Sequence, residues 1–288
     1  MSALLDGVAG APAVATPRRR RTLAPGVQPL GRASGLGLGV GVLWLSLLVL
    51  LPLAAVLARA FSHGWASFAD DVTSPPVAAA LRLTVLSAAG VTVVNAVMGT
   101  LVAWVLVRDR FPGQRVLSVV IDVPFALPTI VAGLVLFALY GPRSPVGVTL
   151  TQTRAAIFVA LLFVTLPFVV RAVQPVLEEL DADVEEAAAS LGAGRFTIFR
   201  RIILPTLAPA ISAGAGLCFA RALGEYGSVV LISGNLPFKT EVASVRMLSQ
   251  IENDNLAGAA ATATVLLAVS LVVLVGLELV QQRAARRG

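Results

Sequence analysis

Six apolar stretches, each long enough to cross the hydrocarbon core of a bilayer, decide what this chain can become. They run over residues 36–58, 79–107, 116–140, 155–173, 206–232 and 256–280. A membrane helix needs ~20 consecutive, mostly apolar residues. Within lipid a helix is the economical way to satisfy every backbone N–H and C=O. The expected fold class is therefore all-α, a polytopic membrane bundle of six transmembrane helices. Composition points the same way: 13% of residues are charged, against about 25% in a soluble domain.

The connectors alternate in charge. One side holds Arg18–Arg21, then Arg108, Arg110 and Arg115, then Arg195, Arg200 and Arg201, and finally Arg283, Arg286 and Arg287. The other side holds Asp70 and Asp71, then Arg143 and Arg154, then a mixed loop with Lys239, Glu241, Arg246, Glu252 and Asp254. Lys and Arg collect in cytoplasmic loops, so both termini are expected in the cytoplasm of a bacterial inner or plasma membrane. The formal net charge of +6 is then a matter of orientation, and no nucleic-acid partner is expected; membrane lipid is. Residues 1–34 read as a disordered basic arm, 35–282 as the membrane domain and 283–288 as a short basic tail. The apolar run after Arg18–Arg21 is longer than a signal core, which favours a retained signal anchor.

The polar island of the chain is residues 185–205, EEAAASLGAGRFTIFRRIILP. Leu177, Leu180, Val184, Ala187 and Leu191 recur every three or four residues, the mark of one apolar stripe on a helix. Gly192 stands where a helix C-cap would turn the chain. A second short helix with Phe196, Phe199 and Ile203 is expected to run into Pro205, which suits the first turn of the next span. Between residues 234 and 255 a connector too long for a turn predicts a short helix or a re-entrant piece.

Four ionisable residues, Arg82, Asp122, Arg221 and Glu225, fall within or at the edge of apolar stretches. A charge at mid-bilayer costs ~2.5–3.5 kcal/mol or more, so it turns inward, to a partner or to water. Arg221 and Glu225 are four apart, on one face of a helix. They either pair with each other or with Asp122 to hold the bundle, or they line an anion pathway together with Arg82. Pro124, Pro128 and Pro167 interrupt the third and fourth spans, as kinks or as breaks near a pathway. There is no Gly-x-Ser-x-Gly elbow, no His-Glu-x-x-His and no phosphate-binding Gly-x-x-x-x-Gly-Lys-Ser/Thr loop. The lone Cys218 and His63 supply no metal cluster. An intramembrane enzyme would have only Asp122 and Glu225 as an acid pair. The Gly-x-Gly run at residues 35–41 reads as helix packing.

Glu186, Ala187, Ala188, Gly192, Ile202, Leu204 and Pro205 stand at the spacing E-A-A-x(3)-G-x(9)-I-x-L-P. This resembles the cytoplasmic EAA loop of ABC-importer permeases, here spanning about 177–205. Three further segments resemble the T-type (CysT-like) sulfate/thiosulfate permease of bacterial ABC importers: PFALPTIVAG from Pro124, LPFVVRAVQPVLEE from Leu166, and ALGEYGSV from Ala222. The last of these is shared with molybdate permeases, so molybdate or another oxyanion stays open as the cargo. The resemblance implies a six-helix, MetI-like bundle without its own ATPase site or bound cofactor, ATP being used by a partner. It implies a cytoplasmic ABC ATPase docked on the EAA loop, a second homologous (W-type) permease, and an extracytoplasmic sulfate-binding protein. The seven motif positions carry over as ATPase-coupling residues, and no sulfate ligand carries over. A passive channel would leave the loop without a purpose.

Overall fold

The computed structural model describes residues 32–285. Arg18–Arg21, Arg286 and Arg287 lie outside the described residues, as does the expected basic arm up to its last three positions. The chain divides after Leu51 into two units. Among the described residues, the first holds α1 (Arg32–Leu45) and a π turn (Ser46–Leu50). The second carries α2 (Leu51–Ala60) from Pro52 onward, α3 (Gly64–Thr73), α4 (Pro75–Arg108), α5 (Gln114–Ala126), α6 (Thr129–Tyr140) and α7 (Arg154–Glu178). It continues with α8 (Ala182–Ser190), α9 (Arg195–Ile198), a second π turn (Phe199–Ile203), α10 (Leu204–Leu223), α11 (Gly227–Ile232), α12 (Ala243–Glu252) and α13 (Leu256–Ala285).

Among the described residues, five stretches are long and apolar enough to cross a membrane: Leu36–Ala60, Pro75–Arg108, Arg154–Glu178, Arg195–Leu223 and Leu256–Leu279. The sixth expected span is bent by 115° between Gln114–Ala126 and Thr129–Tyr140. The break falls at Leu127 and Pro128, where the backbone turns extended. Pro128 restricts the residue before it to that region. Pro167 and Pro175, by contrast, sit inside an unbroken α7, so Pro167 does not interrupt the fourth span.

The second short helix expected before Pro205 does not end there. Helix continues from Arg195 to Leu223, and the π turn Phe199–Ile203 lets Pro205 pass. Leu204 N–H reaches back to the Phe199 carbonyl, and proline follows at once. The widened turn relieves the carbonyl that the ring would crowd and that has lost its donor. Leu51 N–H bonds Ser46 O in the same way, again one residue before a proline, Pro52.

The core is built where α4, α7 and α10 meet. The buried side of α4 reads Val77, Leu81, Thr84, Ala88, Val91, Asn95, Gly99, Ala103 and Leu106, a helical repeat of three and four. Glycine brings the helices together: a Cβ on Gly99 would stand 2.8 Å from Val169 Cβ, and one on Gly214 2.9 Å from Val169 Cα. In lipid such close approach supplies the dispersion contacts that hold helices together. At the centre, Asn95 Nδ2 donates to Thr165 Oγ1 (2.9 Å) and to the Leu162 carbonyl (3.3 Å), with Cys218 Sγ at 3.8 Å.

The connector over 234–255 contains the expected short helix, α12. Its N-terminal Ala243 N–H is capped from far along the chain by Thr84 Oγ1 at 2.8 Å. The helix α3 has no counterpart in the sequence reading; its Trp65 and Phe68 stack with each other and with Phe61 just before it.

Candidate functional site

The polar island folds as two helical pieces around one turn. Residues 179–181 break the helix, so Leu177 is buried at the end of α7 while Val184 in α8 and Leu191, its C-cap residue, face outward. The single stripe expected from Leu177 to Leu191 is therefore split. Asp181 caps α8 by accepting from Asp183 N–H at 3.0 Å, and Asp183 and Glu185 in the first turn favour the positive end of the helix dipole. The C-terminus is a Schellman turn: Ala193 N–H bonds Ala188 O (3.1 Å), Gly192 N–H bonds Ala189 O (2.9 Å), and Gly192 takes φ +84°. That φ costs a residue with a Cβ ~1–2 kcal/mol, which is why glycine stands there.

Two contacts fix the loop to the end of α4. Arg108 pairs with Glu185 and lies 5.4 Å above the Trp104 ring. Phe199 meets the same ring edge-on at 5.8 Å. Glu185, not its neighbour Glu186, is thus the internal anchor, a distinction that the sequence does not carry. Glu186 and Ala187 are exposed, Ala188 and Ile202 pack partly against the core, and Gly192, Leu204 and Pro205 are open. Beside its exposed charges the loop leaves large apolar side chains uncovered: Leu191 is 90% exposed, Phe196 74% and Val184 51%. Three large apolar side chains on a capped, anchored helical turn form a preshaped contact surface.

The intramembrane charges sort into separate groups. Arg221 NH1 lies 2.5 Å from Glu225 Oε2, the mutual pairing that was one of the expectations. They do not share a helix, however, because α10 ends at Leu223 and Glu225 follows the Gly224 cap. The buried Glu225 Oε1 accepts from Ser228 N–H (2.8 Å) and Ser228 Oγ (2.9 Å), which pins the start of α11. Asp122 joins neither of them. It pairs with Arg171, whose Nε donates to Asp122 Oδ1 at 2.7 Å. Arg82 is exposed on α4 and takes part in no ion pair among the described residues. The acids required by an intramembrane enzyme are each held by their own arginine.

Two of the sequence segments singled out above meet directly. A Cβ on Gly133 of α6 would come within 2.8 Å of Ser228 O, and one on Gly227 of α11 within 2.3 Å of Thr129 Oγ1 and 2.8 Å of Ile130 N. The segment after the Pro128 break is therefore packed, backbone against backbone, on the segment after Glu225.

The family described as "Binding-protein-dependent transport system inner membrane component" matches residues 95–286. The chain is 44% identical over 259 residues to the "Sulfate transport system permease protein CysT" of Salmonella typhimurium, covering 88% of this chain and 94% of that one. It is 43% identical over 259 residues to the protein of the same name from Escherichia coli, with the same coverage. To that from Synechocystis sp. it is 45% identical over 254 residues, covering 86% and 89%. In fold it resembles a chain of a bacterial ABC transporter involved in the import of the acidic polysaccharide alginate, with TM-score 0.72, 16% identity, and coverage of 86% and 94%. The all-α, multi-pass fold and these similarities agree: the chain belongs to the inner-membrane component family of binding-protein-dependent transport systems.

Proposed function

We propose that this chain is one of two membrane subunits of an ATP-driven sulfate importer, with α8 and α9 as the seat of a separate ATPase. The observation that carries the reading is the uncovered ridge of Val184, Leu191 and Phe196, set on a turn that is capped at both ends and tied to α4. An apolar surface of this kind at the end of a membrane bundle calls for a protein partner. Glu186, Ala187, Ala188, Gly192, Ile202, Leu204 and Pro205 act in that contact or shape it. The Arg-rich connectors support a cytoplasmic position for this face and for both termini. A second, W-type permease completes the pathway, and an extracytoplasmic binding protein delivers the anion.

Sulfate is the cargo named for the similar permeases, and the reading extends it to this chain; thiosulfate, a tetrahedral dianion of the same charge, shares the route. Arg82 and Arg221 keep an anion-tolerant positive potential along the pathway, with Glu225 orienting Arg221. The test is uptake in cells lacking their own sulfate systems and supplied with this chain and its partners. Sulfate uptake that thiosulfate competes away supports the proposal. Uptake of molybdate in place of sulfate overturns the choice of cargo.

A further inference from the structure

Arg171 turns most of its guanidinium toward α5. Nε and NH2 both engage the Asp122 carboxylate, NH2 also reaches Ser118 O and Ser118 Oγ at 3.0 Å each, and NH1 donates to Gln174 Oε1 at 2.6 Å. Gln174 Nε2 in turn donates to Glu178 Oε1 at 2.8 Å, at the last residue of α7. A fork engaged on both oxygens of a carboxylate fixes direction as well as distance. The cluster therefore joins α5 to α7 as one body at its cytoplasmic end.

The place of this joint matters. On one side, Arg171 lies seven residues, ~10 Å of helix, before α7 ends and the chain enters α8. On the other, Asp122 lies five residues before Leu127, where the α5–α6 span bends by 115°. Beyond the bend, α6 packs through Gly133 onto α11, which Glu225 and Ser228 pin. Motion of α8 thus reaches α7 through the backbone, α5 through Arg171, and the bent segment against α11 through the Leu127–Pro128 hinge. The other tie of the loop, Arg108 to Glu185, leads to α4 instead.

We infer that the Arg171–Asp122 pair, braced by Ser118 and Gln174, is a positioning link that makes the bent α5–α6 segment move with the ATPase-facing loop. The inference rests on the reading of α8 and α9 as the ATPase seat. Its role is to transmit displacement; it contacts neither nucleotide nor anion in this account.

The experiment uses the complete importer in proteoliposomes, measuring radiolabelled sulfate uptake and ATP hydrolysis together. Arg171→Gln should leave assembly and basal hydrolysis intact and lower the sulfate moved per ATP by about tenfold or more, the scale of losing a charge-assisted pair. The charge exchange Asp122→Arg with Arg171→Asp should recover part of the ratio, and Arg171→Lys, which keeps the charge without the fork, should fall between. Should Arg171→Gln fail to assemble, Ser118→Ala removes a single brace and should lower the ratio by a smaller factor. An unchanged ratio in Arg171→Gln, or in Ser118→Ala in the former's absence, overturns the link. If the ATPase seat itself is misplaced, Gly192→Asp transports fully; if only the link is wrong, Gly192→Asp fails while the Arg171 variant transports normally.

Discussion

Replacing Gly227 by alanine tests the close approach of α6 and α11. The added Cβ would meet Thr129 Oγ1 at 2.3 Å, Ile130 N at 2.8 Å and the Thr129 carbonyl carbon at 3.1 Å. Two of these three atoms are backbone, so no rotamer change relieves the contact. Overpacking of this kind costs ~1–3 kcal/mol, and the rigid neighbours argue for the upper half of that range. Cys218 is the sole cysteine and is buried, so a thiol-reactive dye reports opening of the bundle. In the regime where opening is rapid and reversible, ~1–3 kcal/mol raises the labelling rate ~5- to 150-fold. Gly216→Ala is the control: its Cβ would meet only Leu274 Cδ2 at 3.1 Å and Leu277 Cδ1 at 3.4 Å, the ends of flexible side chains. It should change labelling by less than about fivefold, the factor for ~1 kcal/mol. If Gly227→Ala labels no faster than Gly216→Ala, the backbone contact between α6 and α11 is not what the geometry says.

Truncating the exposed ridge should weaken ATPase binding without disturbing the permease. Leu191 and Phe196 each gain ~1.5–3 kcal/mol on full burial, so the double variant Leu191→Ala with Phe196→Ala should raise the dissociation constant by ~10²–10⁴-fold in a detergent binding assay; wild-type affinity would refute the docking surface. The connector before α12 should respond to pH in one direction. Burial raises the carboxyl pKa of Glu241 above 4.5, while Arg246, at 3.8 Å, partly lowers it. Since the folded state binds this proton more tightly, stability should fall as pH rises from about 4.5 through the raised value. Glu241→Gln should remove that dependence, read as hydrogen exchange of α12; an unchanged pH profile would contradict it.

The hydropathy of the chain made the bundle legible, because lipid leaves few alternatives to long apolar helices. It did not say which proline breaks a helix. Pro128 does and Pro167 does not, although each follows a leucine, Leu127 or Leu166, within an apolar run. Gly192 was legible as a cap because only one backbone geometry calls for glycine at that point. The pairing of charges was less so. Arg221 and Glu225 are close in sequence, and their pairing could be expected. Asp122 and Arg171 are separated by most of two helices and a loop, so only packing brings them together. The apolar spacing of the loop continues across residues 179–181, but Leu177 turns into the core and Leu191 into the open. Periodicity reports the spacing of apolar residues without telling whether one face or two will cover them.

The most direct test of the central claim is the coupling of ATP hydrolysis to sulfate uptake in proteoliposomes holding the complete importer with Glu186→Lys in this chain. Glu186 is exposed beside the ridge and makes no side-chain hydrogen bond or ion pair among the described residues, so the fold should be unaffected. This permease should insert and assemble normally but take up little sulfate for the ATP consumed. Wild-type uptake at wild-type ATP consumption would contradict it.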